Sequence, residues 1–344
     1  MLQIAASGTI VKYKAFVSKK IIIFILAAVL LLISIMMALN TGAAGLSVVE
    51  LFSGMTMQSD YAANIFWYLR LPRIATAFLV GWGLAVSGAL SQAILKNPLA
   101  SPYTLGLAAG ASFGAVLGIV LGKSVSGWFI PLFALMTAMG TSLLILGISR
   151  FRHASAETLI LGGVAVMFLF SSMTSFVQYI STMEEVHEIV FWFFGSLSKT
   201  GWPEIGLISL MIVPACGFVM GWAWDLNIMM SGDDAAASIG INVNRLRNSG
   251  VLMVSLMTAG AICFTGTIGF IGLVAPHIAR MIIGSDHRFL LPASGMLGAI
   301  LVVNADILSR TIWAPQVIPI GIVTAFLGVP LFMYLLMRRT REFW

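Results

Sequence analysis

Charge is what this chain has least of. Asp, Glu, Lys and Arg make up only 9% of its 344 residues, against roughly 25% in a soluble domain. That deficit excludes a water-bathed globular surface. Cysteine is scarce as well: Cys216 and Cys263 both lie in apolar runs, so no disulfide framework is implied. The four histidines, His153, His187, His277 and His287, are scattered, and none forms a metal-ligand pair at helical spacing. We therefore expect no metal site. No nucleophile–base pattern stands out either, which disfavours a membrane-embedded enzyme. The six excess positive charges come without a basic face or an interleaved aromatic stripe. They are read as marks of membrane orientation rather than as a nucleic-acid surface.

What the chain has in abundance is apolar length. Hydrophobic residues reach 59%, and a span needs about 20 of them at 1.5 Å each to cross a core about 30 Å thick. Ten runs meet or approach that length: Ile21–Leu39, Ile74–Leu95, Tyr103–Leu121, Phe129–Ile148, Thr158–Ile180, Ile205–Trp224, Ser249–Gly266, Ile268–Ile283, Phe289–Val303 and Val317–Met337. The first follows Lys12, Lys14, Lys19 and Lys20. A cleaved signal peptide competes there, but its apolar core would be about 7–15 residues, so an uncleaved first span is expected. The expected fold is all-α, polytopic, with about ten transmembrane helices in a single domain over residues 1–344.

Charge orients the spans. With the N-terminus and its 20 leading residues cytoplasmic, Lys12, Lys14, Lys19, Lys20, Lys96, Arg150, Arg152, Arg245, Arg247, Arg280, Arg288, Arg338, Arg339 and Arg341 fall inside. Only Arg70, Arg73, Lys123, Lys199 and Arg310 fall outside, the bias that the positive-inside rule requires. An even span count puts both termini in the cytoplasm. Three of the exceptions sit at outer span ends: Arg70 and Arg73 in LRLPR, and Arg310 after Asp306 in NADILSR. One reading is interfacial anchoring by snorkelling stems. The other is a positive outer rim whose planar guanidinium forks would receive carboxylates of a partner.

Gly106, Gly110, Gly114, Gly118 and Gly122 recur every fourth residue along the third span. Small faces of this kind let membrane helices pack backbone to backbone. The Gly122-Lys123-Ser124 close imitates a phosphate-binding loop, but Leu117 stands where that motif needs glycine. ATP binding by this means is excluded. No Asp, Glu, Lys or Arg lies in the middle of a span, where ion-coupled carriers usually hold their relays. An ion-driven secondary transporter is thus the disfavoured alternative, and the energy source is sought outside the chain.

The cytoplasmic segment 225–244 offers a link to one. Ser231 with Asp234 has the form of a capping box, and Asp233 and Asp234 suit the positive end of a helix dipole. Ala235, Ala236 and Ala237 favour helix, and Gly240 can end it. A short helix starting near Gly232 is expected, either a mere connector or a coupling helix docked on a separate ATPase.

The fragments LRLPR at Leu69–Arg73, VSGALSQAILKNPLASPYTLG at Val86–Gly106, FWFFGS at Phe191–Ser196, GDDAAASIG at Gly232–Gly240, GFIGLVAPHIAR from Gly269, SDHR at Ser285–Arg288 and the Ile318–Leu336 run stand in a specific order. In that order the chain resembles the FecCD-type permeases, the membrane subunits of importers for iron chelates and cobalamin, over nearly its whole length. The resemblance implies the fold of a cobalamin-permease-like type II ABC importer. It also implies a second permease subunit (a homodimer rather than a heterodimer), two cytoplasmic ATPases carrying ATP and Mg, an extracytoplasmic binding protein, and no cofactor on this chain. It puts binding-protein docking at Arg70, Arg73 and Arg310. The cytoplasmic gate falls at Asn97, Pro98 and Leu99, with Ser155 and Thr158 in a second segment, and ATPase contact at Gly232–Gly240. Trp82 and Gly83 depart from the usual small apolar pair. The expected cargo is a ferric siderophore, with haem and cobalamin open, and the expected setting a bacterial or archaeal plasma membrane. Two halves of inverted topology are implied as well, although the sequence shows no self-similarity.

Overall fold

A computed structural model describes residues 2–42, 60–122, 127–150 and 155–337. Lys123, Arg152, His153, Arg338, Arg339 and Arg341 lie outside the described residues, and the side chains of Lys12, Lys14 and Arg150 are likewise not described. Every regular element among the described residues is helical.

α1 (Leu2–Asn40) is followed, after the segment before Asp60, by a short helical stretch and a π-helical turn over Ile65–Arg70 that runs straight into α2 (Leu71–Ile94). α3 (Leu107–Leu121), α4 (Phe129–Arg150), α5 (Ala156–Ile180), α6 (Met183–Phe194), α7 (Trp202–Gly221), α8 (Ala223–Met229) and α9 (Asp233–Ser238) come next. α10 (Val243–Thr265), α11 (Ile271–Ile283), α12 (His287–Thr311) and α13 (Ile320–Met337) complete the chain. Among the described residues seven helices are long and apolar enough to cross a membrane, and α3, α11 and α13 are shorter apolar ones. Each of the ten expected spans therefore has its helix.

Several ends differ from expectation. α10 begins at Val243 and α12 runs to Thr311, so Arg247, Asp306 and Arg310 are helical rather than loop residues. Polar side chains extend a span when neighbouring helices pair them, and these are paired. α6 and α8 were not anticipated as separate helices. The expected capping box at Ser231 does not form. The Ser231 and Gly232 amides bond back to Ile228 and Met229, which makes them the exit turn of α8, and Gly232 at φ 125° takes the N-cap of α9.

α2 is the axis of the bundle, packed by α7, α10, α11 and α12. Backbone contact at two crossings makes this possible. A Cβ added at Gly88 would sit 2.6 Å from the Gly272 Cα of α11, and one at Gly81 would sit 2.8 Å from the Ala299 Cα of α12. The glycine row of α3 lies against α4: a Cβ at Gly118 would meet the Ile130 Cα at 2.7 Å, and one at Gly110 the Thr137 carbonyl at 3.2 Å. Gly106 turns the chain into α3 at φ 69°, beside the Gly163 carbonyl of α5. Trp82 fits for a matching reason, since its indole fills the space over Gly295 of α12. The missing side chain of Gly83 admits Ile212 of α7.

The halves share one order: a long helix (α2, α10), an irregular connection, a short helix (α3, α11) and two further helices (α4 and α5, α12 and α13). Lipid-facing chemistry is clearest on α1, whose exposed side chains Ile22, Ile25, Leu26, Leu32 and Ile33 are all apolar. α1 is pinned to α12 by Asn304 donating to the Ser34 Oγ at 2.8 Å.

Candidate coupling and docking sites

At its C-terminal end α2 stops because the chain turns left-handed at Lys96, with φ 46°. That conformation is uncommon for a residue with a Cβ and costs on the order of 1–3 kcal/mol unless its surroundings hold it. Here they do. The Lys96 and Asn97 amides bond back to the carbonyls of Ala93 and Gln92. The Asn97 carboxamide then accepts from the Leu99 amide at 2.9 Å, shaping the loop before Ser101. Asn97 and Pro98 are half-buried and Leu99 is exposed. Ser155, the second expected gate position, caps α5 by accepting from the Thr158 amide at 3.1 Å.

Asp233, the first residue of α9, faces this loop. One carboxylate oxygen lies 2.5 Å from the Lys96 Nζ, and the other accepts from the Arg247 Nη2 at 2.9 Å. Arg247 is 2% exposed, and its Nε donates to the Ile94 carbonyl at the end of α2 at 3.0 Å. Burial opposes ionisation of Asp233, but the hydrogen bonds from Lys96 and Arg247 outweigh it and hold the carboxyl below its usual range. One carboxylate thus joins the short helix, the loop and the α2 terminus. Ala236 is fully buried on the inner side of α9, while Ile239 at its far end is 69% exposed. Asp234, Ala235 and Ala237 are exposed, and Gly240 turns the chain away at φ 96°.

The SDHR stretch holds α8 in place. The Asp286 carboxylate caps α12 by accepting from the Arg288 amide at 3.1 Å and accepts from the Asn227 Nδ2 at 2.8 Å. The Asn227 Oδ1 in turn accepts from the His287 amide at 2.8 Å. Arg288 binds Asp286 through Nη2 at 2.6 Å and lies 4.0 Å over the Trp224 ring. Burial again disfavours the charged carboxyl, yet the Arg288 and Asn227 hydrogen bonds win and hold Asp286 down at about 2. On α11, the Arg280 Nη2 donates to the Gln92 Oε1 of α2 at 2.9 Å. Sequence reasoning assigned no roles to Asp286, Asn227 or Arg247. An Asp just before an apolar helix was a readable cap signal, whereas the partners of Arg247 come from distant segments.

At the opposite end of α2, Arg70, Arg73 and Arg310 come together. The Asp306 carboxylate, 2% exposed, pairs with the Arg73 Nε at 2.8 Å and the Arg310 Nη2 at 3.0 Å. The Arg73 Nη1 reaches the Ser198 hydroxyl at 2.8 Å. Arg310 also donates to the Thr41 carbonyl at 2.6 Å, and Arg70 donates to the Leu39 carbonyl. Two of the three arginines therefore cap the C-terminal carbonyls of α1, where a cation suits the helix dipole. Arg70 is 6% exposed; Arg73 is the more open. One carboxylate among three guanidiniums leaves positive charge in excess. Among the described residues no group of three or more His, Cys, Asp or Glu could hold a metal ion.

The structure thus combines a bundle of apolar, span-length helices with a short helix, α9, tied to the end of one of them. Comparison with known proteins places it more closely. The model of the FecCD transport family matches residues 30–338. An assigned ABC transporter permease protein of Methanocaldococcus jannaschii is 40% identical over 339 residues, 95% of this chain and 97% of its own length. The hemin transport system permease protein HmuU of Yersinia pestis is 35% identical, covering 91% of this chain and 95% of that one. The vitamin B12 import system permease protein BtuC of Klebsiella pneumoniae is 36% identical over 79% of this chain and 82% of its own. A solved structure of an assigned metal-chelate type ABC transporter, in an inward-facing conformation, matches with a TM-score of 0.84 at 31% identity, covering 92% of this chain and 99% of that one. The chain belongs to the FecCD transport family. It is a multi-pass ABC transporter permease subunit and not itself an enzyme.

Proposed function

We propose that this chain is the membrane subunit of a binding-protein-dependent importer that moves an iron chelate, foremost a ferric siderophore, into the cytoplasm of a bacterium or archaeon. The observation that carries the reading is α9. This helix presents an exposed Ile239 beside Ala235 and Ala237 on the cytoplasmic side, while its Asp233 grips the loop after α2. An exposed apolar tip on a rigidly tethered helix suits insertion into a groove of a partner, and we assign that partner as a separate ATPase carrying ATP and Mg2+. Ser231–Gly240 is the contact, and Asn97, Pro98, Leu99, Ser155 and Thr158 form the gate.

The outer arginines receive acidic residues of the binding protein, with Arg73 as the most open fork and Arg70 and Arg310 fixing its surroundings. A second copy of this chain completes the pathway, and both termini are cytoplasmic. Supporting the chelate class, the exposed residues of α5 include Ser171, Ser172 and Ser175 among Phe168, Leu169, Met173, Phe176 and Tyr179, whereas those of α1 between Ile21 and Met37 are all apolar. Hydroxyls and aromatics suit a bulky organic ligand that keeps its metal enclosed. The relatives named for hemin and vitamin B12 carry cargo of that same general kind.

The test is assembly. The chain should co-purify with its ATPase, and binding protein loaded with its chelate should stimulate hydrolysis. Ala235→Arg, on the exposed side of α9, should abolish co-purification while leaving membrane insertion intact, and unchanged co-purification in that variant would refute the coupling role.

A further inference from the structure

We propose that Lys96 is a positioning residue that transmits the motion of α9 to the cytoplasmic gate. The inference rests on the reading of α9 as the ATPase contact and goes beyond it by naming the link. Three observations converge on this side chain. Its Nζ lies 2.5 Å from the Asp233 carboxylate on α9. Its backbone, at φ 46°, is the left-handed pivot between the last turn of α2 and the Asn97–Leu99 loop. The other oxygen of the same carboxylate is held at 2.9 Å by Arg247, which is anchored to the Ile94 carbonyl.

Arg247 and Lys96 therefore do different work on one carboxylate. Arg247 is buried and joins α9 to the end of α2, which the bundle holds. The side chain of Lys96 is 27% exposed and belongs to the loop itself. When α9 shifts with its partner, the Arg247 limb resists and the Lys96 limb pulls on a backbone that is poised in a sparsely populated conformation. Such a residue persists only while its surroundings hold it, so a change at Asp233 is converted into a change of loop conformation. The link is a contiguous chain of contacts with a named element at each end, and the two conformations of the loop are the element whose equilibrium it would bias.

The experiment uses the whole transporter, permease and ATPase, in lipid nanodiscs, with hydrogen exchange followed in peptides covering residues 95–101 and 230–241. Each sample is compared without nucleotide and trapped with Mg-ATP and vanadate. In the native protein both peptides should change exchange on trapping. In Lys96→Met the 230–241 peptide should still respond and the ATPase should remain bound, but the response of 95–101 should fall several-fold. Lys96→Arg should restore it. A merely structural lysine would raise exchange in both peptides in every state and leave the nucleotide response of the loop in place.

An undiminished loop response in Lys96→Met overturns the proposal. If the native 230–241 peptide does not change its exchange on trapping, the coupling reading of α9 itself fails, and the role of Lys96 falls with it.

Discussion

A single methyl group at Gly88 is expected to damage this protein more than its size suggests. Gly88 faces Gly272 where α2 crosses α11, and a Cβ there would lie 2.6 Å from the Gly272 Cα. Carbon atoms pack at about 3.5–4.0 Å, so Gly88→Ala requires the helices to part by about 1 Å. A gap of that size forfeits a quarter to a half of the dispersion attraction of each contact along the crossing. Overpacking in a dense core costs about 1–3 kcal/mol. The damage also reaches function, because the Arg280–Gln92 bond at 2.9 Å spans this crossing one turn from the gate loop. Gly217→Ala on α7, where nothing lies within 4 Å, is the matched control. Thermal unfolding of the detergent-solubilised protein, read alongside ATPase co-purification, should show a clear loss for Gly88→Ala and almost none for Gly217→Ala. Equal stability of the two variants would refute the account of α2 as a backbone-packed axis.

Two further outcomes follow from the Asp286 clasp and the proposed topology. Asp286 is held at about 2 in the folded protein, below the ordinary value of about 3.9. Its contribution is therefore full above about pH 4 and is lost as pH falls toward 2. Asp286→Ala should cost about 0.5–2 kcal/mol near neutral pH, the range for a lost helix cap, and should flatten the acid limb of a stability–pH profile; an unchanged limb would exclude Asp286 as its source. A membrane-impermeant thiol reagent applied from outside should label Lys199→Cys but not Ser285→Cys, both exposed positions, and outside labelling at 285 would invert α12 and with it the placement of Arg310.

The spans were legible because apolar length is a local property of the sequence, and all ten runs coincide with helices. Their ends were not legible in the same way. Hydropathy loses the helix at Asn304, Asp306 and Arg310, yet α12 continues because Ser34, Arg73 and the end of α1 supply partners from segments far away in the chain. α6 was missed although its capping box was in plain view. Thr182 and Glu185 cap each other's amides at 3.4 and 2.7 Å, the T-x-x-E pattern that opens a helix. The Ser231 pattern had the same form and failed, because the backbone there was already committed to the end of α8. The short helix at Asp233 was legible from its alanines and glycines. Its grip on Lys96 and Arg247 was not, since no spacing rule relates residues 96, 233 and 247.

Transport driven by ATP rather than by an ion gradient is the claim on which the rest depends, and uptake into proteoliposomes tests it directly. The permease and its ATPase are reconstituted, the binding protein is added outside with the chelate it retains, and accumulation of that chelate is followed. Accumulation should require ATP on the ATPase side and the loaded binding protein, and should persist when ionophores collapse every ion gradient. Uptake driven by an imposed proton or sodium gradient without ATP would contradict the account.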